Sequence, residues 1–220
     1  MSSSSVKVVC PLCSSHANWF CDYFKDVVDF FKCDNCLSIF KSSLSFPNYS
    51  LEKTRYETHN NDVHDKRYQK FVIPITQAIE QEFHINSTGL DYGCGTGPVA
   101  TFVLEGKGYK IRLYDPFFYP DESYKKESYD FIICCEVMEH FFDPNMEFIK
   151  LKNLLKPNSK LYCKTKMISD TINIQDFKSW HYKDDPTHVF FYTPKSLQVI
   201  CEISDFKSVN FDDNLIIFST

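Results

Sequence analysis

The chain has 220 residues, a net charge of −5 and 43% hydrophobic residues, which fits one globular domain with a small appendage. The negative charge argues against general binding to nucleic acid, which needs clustered Lys and Arg, although a local basic patch is compatible with it. No apolar run approaches ~20 residues, so we expect no membrane-spanning helix. The N-terminus lacks the apolar segment of a secretory signal, and we therefore expect a cytoplasmic protein.

The first 45 residues contain two pairs of closely spaced cysteines. Each pair has two residues between its cysteines, so both thiolates can reach one tetrahedral ion, and together the pairs supply the four sulfur ligands of a structural zinc site. Two redox-active pairs are the alternative, but such pairs need a thioredoxin-like strand and helix that this segment lacks. Residues 1–45 are therefore predicted to form a zinc ribbon in which Zn²⁺ is held by Cys10, Cys13, Cys33 and Cys36.

The other polar and aromatic residues of this segment have less specific roles. Cys21 is expected to be a small packed residue, with substitution as a metal ligand as the alternative, and His16 has no coordination position left. Phe30, Phe31 and Phe40 lie on either side of the second cysteine pair, which favours a β-hairpin that packs on the main domain. Because the predicted sulfur shell is closed, the zinc is structural rather than catalytic.

A glycine-rich turn follows the first strand of the main domain. The predicted order is a strand at 89–92, a turn at 93–97, a helix at 98–105 and a second strand at 110–114, with Asp115 at its tip. Glycines in such a turn let the backbone approach a ligand, and an acid at the tip of the next strand binds ribose hydroxyls. This arrangement predicts a nucleoside-binding pocket.

The glycine turn does not match the dinucleotide-binding fingerprint, because Pro98 follows its last glycine. Residues 91–97, Asp-Tyr-Gly-Cys-Gly-Thr-Gly, instead resemble motif I of the class I S-adenosylmethionine-dependent methyltransferases. Residues 131–140, which end in Glu-Val-Met-Glu-His, resemble the fourth-strand motif of the same family, where the strand tip lines the cofactor pocket. The segments 56–61 (Tyr-x-x-His-x-Asn) and 180–188 (Trp-His-Tyr to Asp-Pro-Thr-His) resemble those of bacterial members that carry an N-terminal zinc ribbon.

The resemblance covers roughly residues 56–220 and implies an α/β fold. The expected architecture is a Rossmann-like, doubly wound, seven-stranded methyltransferase sheet with an N-terminal four-cysteine zinc ribbon. We divide the chain into the ribbon at 1–45, a linker and helical lid at 46–85, and the methyltransferase domain at 86–220. Asn158 stands where relatives commonly have Gly, and Asn also tolerates a left-handed turn. Further predicted elements are helices at 67–83, 146–157 and 193–204, a strand at 160–167 and a hairpin at 206–220.

The resemblance also implies roles for residues at the carboxyl edge of the sheet. The glycines bring the backbone close to the methionine part of S-adenosylmethionine, Asp91 lies beneath its ammonium group, and Asp115 binds its ribose hydroxyls. Glu136 lies at a strand tip, where it either contacts the cofactor or orders its loop. Tyr56 and His59 share one face of a helical turn and are predicted to cover the pocket, with a surface helix as the alternative. The residues predicted to bind the cofactor are Tyr56, His59, Asp91, Gly93, Cys94, Gly95, Gly97, Asp115, Pro116 and Glu136.

The segment Trp180–Tyr192 is the candidate for the acceptor side of the site. It follows a predicted strand of the sheet, so it lies over the carboxyl edge, where open α/β folds bind ligands. His188 is predicted to be a general base or an acceptor-orienting group, Asp185 or another carboxylate to hold its second nitrogen, and His181 to form part of the acceptor wall. A metal site that adds Asp184 to these three residues is one alternative. Packing of His188 under the aromatic residues that follow it is another.

The leading interpretation is a methyltransferase that uses S-adenosylmethionine and acts on an unidentified acceptor, with a small molecule favoured by the aromatic content of 16%. An RNA or protein methyltransferase that recognises its substrate through the ribbon is one alternative. A catalytically inactive zinc-ribbon binding module is another, but the intact glycines and Asp115 argue against it. The sequence predicts neither the atom that is methylated nor the oligomeric state.

Overall fold

Two β-sheets and six α-helices make up the regular structure of the described residues. The computed structural model describes residues 8–23, 28–58, 61–213 and 215–220. The strands are β1 (Val8–Val9), β2 (His16–Tyr23), β3 (Val28–Cys33), β4 (Ile39–Lys41), β5 (Thr88–Tyr92), β6 (Lys110–Tyr114), β7 (Tyr129–Cys135), β8 (Leu155–Lys164), β9 (Phe190–Phe191), β10 (Ser208–Phe211) and β11 (Ile216–Ser219). The helices are α1 (Tyr49–Glu57), α2 (Lys66–Glu82), α3 (Val99–Glu105), α4 (Pro144–Leu154), α5 (Ile174–Ser179) and α6 (Pro194–Ser204).

The larger sheet has the strand order β10-β11-β8-β7-β5-β6. Strands β5 to β8 pair in parallel, and the hairpin of β10 and β11 adds antiparallel strands beside β8. The doubly wound architecture is confirmed, but within the described ranges the sheet has six strands rather than the seven expected. The chain between β6 and β7 forms a single bridge from Asp115 to Tyr119 and a 3-10 helix at Glu122–Lys126, which leaves β6 at the edge.

Strand β7 lies in the middle of this sheet and is buried on both faces. Phe131 and Ile133 belong to the apolar cluster of α2 and α3, whereas Ile132 and Cys134 belong to the cluster of α4 and α6. All four side chains are fully buried. A parallel strand covered by helices on both faces requires such a continuous apolar sequence, so β7 is the centre of the core.

Helix α2 is part of the layer that covers the sheet. Its residues Val72, Ile75 and Ile79 are buried in the same cluster as Phe131. Residues 46–85 were predicted to be a linker and a helical lid. The apolar face of α2 instead packs on the sheet. Of the helices in this range, only α1, which has no buried residue, lies outside that layer. Among the described helices, none has the length and apolar character needed to cross a bilayer.

The smaller sheet joins the N-terminal segment to a strand from the far end of the chain. Its order is β1-β2-β3-β4-β9, and all pairs are antiparallel. Ile39 pairs with Phe191 and Phe40 with Phe190, so the predicted ribbon is completed by residues of the segment 180–192. The division at residue 45 therefore cuts through a sheet whose last strand lies about 150 residues further along the chain.

Side-chain contacts also hold the ribbon against the main domain. Asn145 donates to the Leu12 carbonyl at 2.8 Å, and Thr193 donates to the Cys36 carbonyl at 3.0 Å. Phe30 packs edge-on against Phe177 with ring centroids 5.0 Å apart. The expectation that the aromatic hairpin packs on the main domain is thus confirmed, and so is the left-handed turn at Asn158, where φ is 60°.

Candidate functional site

The four predicted zinc ligands form one cluster of sulfur atoms. The Sγ atoms of Cys10, Cys13, Cys33 and Cys36 all lie within 4.8 Å of one another, and no disulfide joins them. The Sγ atoms of Cys10 and Cys36 are 3.6 Å apart, and those of Cys13 and Cys33 are 3.5 Å apart. A zinc ion with Zn–S bonds of ~2.3 Å holds its sulfurs at about this separation. Cys21 is buried elsewhere in the ribbon and is not part of the cluster.

The backbone around each cysteine pair has the geometry of a metal-binding turn. Ser14 and Leu37, each directly after the second cysteine of its pair, have φ values of 58° and 62°. The amides of Asn35 and Cys36 both point at Cys33 Sγ from 3.4 Å. Hydrogen bonds from the neighbouring cysteines and from these amides hold the pKa of Cys33 well below its ordinary value. A turn that stabilises a thiolate in this way suits a metal ligand.

The glycine turn after β5 presents backbone rather than side chains at the carboxyl edge. Gly93 and Gly95 have φ values of 76° and 64°, which glycine adopts without strain. A Cβ atom on Gly93 would lie 2.6 Å from Val137, so this glycine lets the loop after β7 approach. At Gly95 the nearest neighbour of a Cβ atom is Asn61 Nδ2 at 3.9 Å, which leaves space over the turn. Cys94 between them is buried.

Asp115 turns back from the end of β6 onto the glycine turn. Its Oδ2 accepts from the Gly95 amide at 3.0 Å, and its Oδ1 accepts from the amides of Phe117 and Phe118 at 2.8 and 3.1 Å. The carboxylate is buried and held in one orientation, whereas the neighbouring Pro116 is exposed. Asp115 is thus held against the glycine turn, whereas the ring of Pro116 faces outward, and the nucleoside pocket stays a prediction.

Asp91 lies below the glycine turn, at the end of β5. It is 4% exposed, and its Oδ2 accepts from Thr101 Oγ1 at 2.7 Å. Burial raises the pKa of Asp91 to about 6, while the Thr101 hydrogen bond lowers it and the charge of Asp115 raises it further. A buried acid with a raised pKa is suited to a cationic partner, which would favour its ionised form.

The segment before α2 covers the glycine turn. A Cβ atom on Gly97 would lie only 1.7 Å from the carbonyl oxygen of Asn61, so the backbone of Asn61 rests directly on this glycine. Tyr56, on α1, packs edge-on against His140 at 5.4 Å and against Phe117 at 5.3 Å. Helix α1 therefore reaches from the tip of β6 to the loop after β7. His59, the other predicted lid residue, lies outside the described residues.

His188 is buried beneath the loop that it belongs to. Its ring is 8% exposed, lies 4.2 Å from the ring of Tyr182, and donates from Nδ1 to the Tyr182 carbonyl at 2.7 Å. The prediction that Asp185 holds this nitrogen is wrong, because a backbone carbonyl occupies that position. Burial, followed by the charge of His140, lowers the pKa of His188 to about 3, so the imidazole is neutral at physiological pH.

Asp185 instead connects the loop before β9 to helix α1. It pairs with Arg55 of α1 at 2.7 Å and accepts from the amide and the hydroxyl of Thr187. Burial alone would raise the pKa of Asp185, but the bonds from Arg55 and Thr187 outweigh it and hold the pKa well below its ordinary value. Asp185 is therefore an ionised anchor that joins α1 to the loop before β9.

His181 and Asp184 are exposed on the outer side of the loop. His181 Nε2 lies 3.4 Å from Lys166 Nζ, and Asp184 pairs with Lys183 at 2.5 Å. Within the described residues, the groups able to share a metal ion do not include His181, Asp184 or Asp185. The alternative metal site proposed for this loop is therefore wrong, because its side chains point to different partners.

Two glutamates and a tyrosine meet where β7 ends. The Tyr182 hydroxyl is hydrogen-bonded to Glu139 Oε1 and lies 3.1 Å from Glu136 Oε2 and from Thr165 Oγ1. Burial raises the pKa of Glu136 to about 8, and the charge of Glu139 adds to that effect. Burial likewise raises the pKa of Glu139 to about 7. Glu136 has a φ of 54°, a strained conformation of the kind found at functional sites.

No role was predicted from the sequence for Arg55, Tyr182 or Glu139. Arg55 lies 130 residues from its partner Asp185, and Tyr182 lies 43 residues from Glu139. No local pattern marks such pairs. The acidic spacing of Glu136 and Glu139 after an apolar strand is the one signal that pointed to this cluster.

An open cleft also lies at the amino edge of the sheet. It is lined by residues from the starts of β5, β6 and β7, among them Thr88, Lys110 and Tyr129. The glycine turn and the buried acids lie at the opposite edge. We place the functional site at the carboxyl edge, because ligands of open α/β sheets bind there.

The sequence matches a known family, and the fold is similar to those of solved proteins. A family model described as a methyltransferase domain matches residues 64–210. No curated protein matches the sequence. The fold is similar to human N-acetylserotonin methyltransferase in complex with SAM (TM-score 0.54, 12% identity, 81% of this chain and 61% of that chain). It is also similar to a SAM-dependent methyltransferase from Archaeoglobus fulgidus (TM-score 0.51, 16% identity, 79% and 100%).

An O-methyltransferase family protein from Burkholderia thailandensis is a third similar structure (TM-score 0.50, 11% identity, 76% of this chain and 61% of that chain). At these identities the likeness establishes the fold. This chain spans about 61% of the length of the Burkholderia and human proteins. The match to the family model covers 147 of 220 residues, counted from 64 to 210 inclusive.

The raised pKa of Asp91 predicts a pH-dependent stability. Between the unfolded pKa of about 3.9 and the folded pKa of about 6, the native state holds more protons than the unfolded state. The free energy of unfolding therefore falls as pH rises through this window. Asp91→Asn has no carboxyl to titrate at this position, so this fall is absent. The free energy of unfolding of the variant minus that of the wild type should therefore rise from pH 4 to 6 and stay constant at higher pH.

Urea unfolding at a series of pH values measures the difference. Thr101→Val is the matched variant, because it removes the hydrogen bond that lowers the pKa of Asp91. The pKa of Asp91 should then be higher, and the pH range over which the free energy of unfolding falls should extend to higher pH. Parallel pH profiles for the wild type and Asp91→Asn would show that Asp91 is not the titrating group.

Proposed function

Because this chain belongs to the methyltransferase-domain family, we propose that it transfers the methyl group of S-adenosylmethionine to a small-molecule acceptor. The observation that carries this proposal is the contact between the glycine turn and Asp115. The Gly95 amide donates to Asp115 Oδ2 at 3.0 Å, beneath a surface that has space above Gly95. Backbone without side chains next to an oriented acid is what a ribose and its attached amino-acid chain require.

The residues present fit this cofactor. A turn of positive-φ glycines accepts a ligand close to the backbone, and Gly93 and Gly95 form such a turn. Asp91 provides a buried carboxyl whose ionisation a bound ammonium group favours. Tyr56 packs against His140 in the loop after β7, and Glu136 follows directly after β7 at the same edge. When bound, S-adenosylmethionine supplies a methyl carbon that leaves with its bond to sulfur broken and the electron pair retained by sulfur.

On the acceptor side we assign roles according to protonation. His188 is neutral and a weak proton acceptor, because its pKa is about 3, so it orients the acceptor rather than acting as general base. Burial raises the pKa of the half-buried Glu136 to about 8, so its ionised form is a stronger base than His188 for a hydroxyl or amine. His181 and Asp185 shape the loop: His181 at its exposed rim, Asp185 through Arg55.

A small acceptor is favoured over RNA by how the ribbon uses its basic residues. Lys32 donates to the Asp170 carbonyl at 3.0 Å, and Lys41 donates to the Asp185 carbonyl at 2.9 Å. Both ammonium groups are thus directed into the protein. The backbone carbonyls of Leu12 and Cys36 in the cysteine turns are likewise bonded to the main domain. Phosphate recognition needs basic groups that face outward.

We further propose that Cys10, Cys13, Cys33 and Cys36 hold one structural zinc ion. The support is the cluster of four sulfur atoms within 4.8 Å together with the amides aimed at Cys33. In this assignment the ribbon is a support for the loop 180–192, to which it is joined by β-sheet pairing. Metal binding then contributes to folding of the acceptor side, and not to chemistry.

Asp115→Ala is expected to weaken binding of S-adenosylhomocysteine by ~1–3 kcal/mol, because charge-assisted hydrogen bonds to the ribose are lost. Isothermal titration calorimetry measures this change. Asp121→Ala, which removes an exposed carboxylate of the same chain segment, is the control and should bind as the wild type does. Equal affinity of folded Asp115→Ala and wild type would reject the assignment of the ribose site.

The purified protein is expected to contain about one zinc per chain, because the sulfur shell is complete. The double variant Cys33→Ser, Cys36→Ser should lose this zinc, since two of four ligands are replaced. Cys21→Ser, which changes a buried ribbon cysteine outside the cluster, is the matched control and should retain it. Elemental analysis decides the question: full zinc content in the double variant contradicts the assignment.

A further inference from the structure

A second group of potential metal ligands lies at the carboxyl edge, apart from the cysteines. One ligand atom each of Glu139, His140 and His188 lie within 4.8 Å of one another. Glu139 and His140 come from the 3-10 turn Met138–His140 after β7, and His188 comes from the loop before β9. The amide of Val189 donates to the Glu139 carbonyl at 2.9 Å, which fixes the two segments together.

The hydrogen bonds of the two histidines set their tautomers. His140 Nδ1 lies 2.9 Å from the Thr187 carbonyl, and His188 Nδ1 lies 2.7 Å from the Tyr182 carbonyl. A carbonyl oxygen only accepts, so each Nδ1 carries the hydrogen and each lone pair is on Nε2. Metal-binding histidines have this arrangement, in which the second nitrogen is fixed by a backbone or carboxylate oxygen.

Within the described part of the chain, one oxygen of the Glu139 carboxylate receives no hydrogen bond. Glu139 is 1% exposed, and its Oε1 accepts from the Tyr182 hydroxyl. Its Oε2 is buried and has no hydrogen-bond partner among the described residues. An unpaired buried carboxylate oxygen is costly, and a cation is the partner that its charge favours.

We propose that Glu139, His140 and His188 bind a divalent transition-metal ion at the acceptor side of the methyl-transfer site. Two imidazoles and one carboxylate are a ligand set for Zn²⁺, Fe²⁺ or Mn²⁺ and leave coordination positions open. Metal–ligand bonds of ~2.1 Å put neighbouring donor atoms roughly 3.4 Å apart, a separation that lies within the 4.8 Å that bounds this group.

The site has a consequence for the acceptor, and this part rests on the proposed function. The open positions of a hard, oxygen-binding ion select an acceptor with an oxygen nucleophile and a second oxygen that can chelate. The acceptor hydroxyl then gives its proton to the Glu136 carboxylate. The oxygen electron pair forms the new bond to the methyl carbon, and the carbon–sulfur bond breaks with its pair on sulfur. Ion coordination makes the acceptor oxygen more acidic, and His188 serves the reaction as a ligand of the ion.

The ion site is tested by adding Mn²⁺ to protein that contains one zinc per chain, so that zinc fills only the sulfur cluster, and by measuring bound Mn²⁺ with electron paramagnetic resonance in the absence of any methyl donor. Mn²⁺ prefers oxygen and nitrogen ligands, so the sulfur cluster does not compete for it. The wild type is expected to bind about one Mn²⁺ per chain. Glu139→Gln and His140→Gln should each lower the affinity at least ~10-fold.

His181→Gln is the matched control, because it changes an exposed histidine of the same loop that lies outside the ligand group. It should bind Mn²⁺ as the wild type does. Zinc content and S-adenosylhomocysteine affinity establish that each variant is folded. Wild-type affinity for Mn²⁺ in both Glu139→Gln and His140→Gln, or the absence of bound Mn²⁺ in the folded wild type, overturns the site.

The acceptor class is tested separately with catechol as a chelating oxygen probe and aniline as a nitrogen probe that does not chelate. With S-adenosylhomocysteine bound, Mn²⁺ should tighten catechol binding at least ~10-fold and leave aniline unchanged. Equal catechol affinity with and without Mn²⁺ overturns the inferred acceptor class. Because S-adenosylhomocysteine affinity is measured in the same samples, failure of the cofactor site and failure of the ion site give different results.

Discussion

The pairing of β4 with β9 is the constraint on which the rest of the site depends. Ile39 and Phe40 of the N-terminal ribbon pair with Phe191 and Phe190 near the other end of the chain. This pairing fixes the residues directly before β9, and His188 is one of them. A short two-residue strand has little stability by itself, so its position relies on the four strands beside it. Those strands in turn depend on the cysteine turns, because the ribbon is too small to fold on its own core.

A second set of contacts closes the same edge from the other side. Arg55 on α1 pairs with Asp185, and Tyr56 on the same helix packs against His140. Asn61, a few residues later, rests on Gly97. Helix α1 and the residues that follow it therefore contact the glycine turn, the loop after β7 and the loop before β9. Since all three carry predicted site residues, movement of α1 would change the cofactor side and the acceptor side together.

The parts of the molecule that the sequence analysis predicted well are those specified by neighbouring residues. The cysteine spacing, the glycine turn with Asp115, and the fully apolar strand β7 each need only a short window, because local geometry determines them. The fold class was predictable for the same reason. The cofactor roles of individual residues stay predictions.

The features that the sequence did not predict depend on contacts distant along the chain. The partner of His188 Nδ1 is a backbone carbonyl, which no side-chain pattern records. The ribbon boundary was predicted at residue 45, whereas β9 completes that sheet from residue 190. Between β6 and β7 the described chain has a 3-10 turn, in which Asp121 caps the backbone and binds Arg112 of β6, and the sheet ends at β6 with six strands. Such outcomes depend on three-dimensional proximity, which periodicity alone does not specify.

Hydrogen exchange by mass spectrometry, comparing zinc-loaded wild type with the Cys33→Ser, Cys36→Ser variant, tests most directly whether the ribbon supports the acceptor loop. If β4 holds β9 in place, loss of the metal should speed exchange in residues 28–41 and in residues 187–192 together. Strand β7, buried in the main core, should keep its protection. Faster exchange confined to the ribbon, with residues 187–192 as protected as in the wild type, would contradict the account.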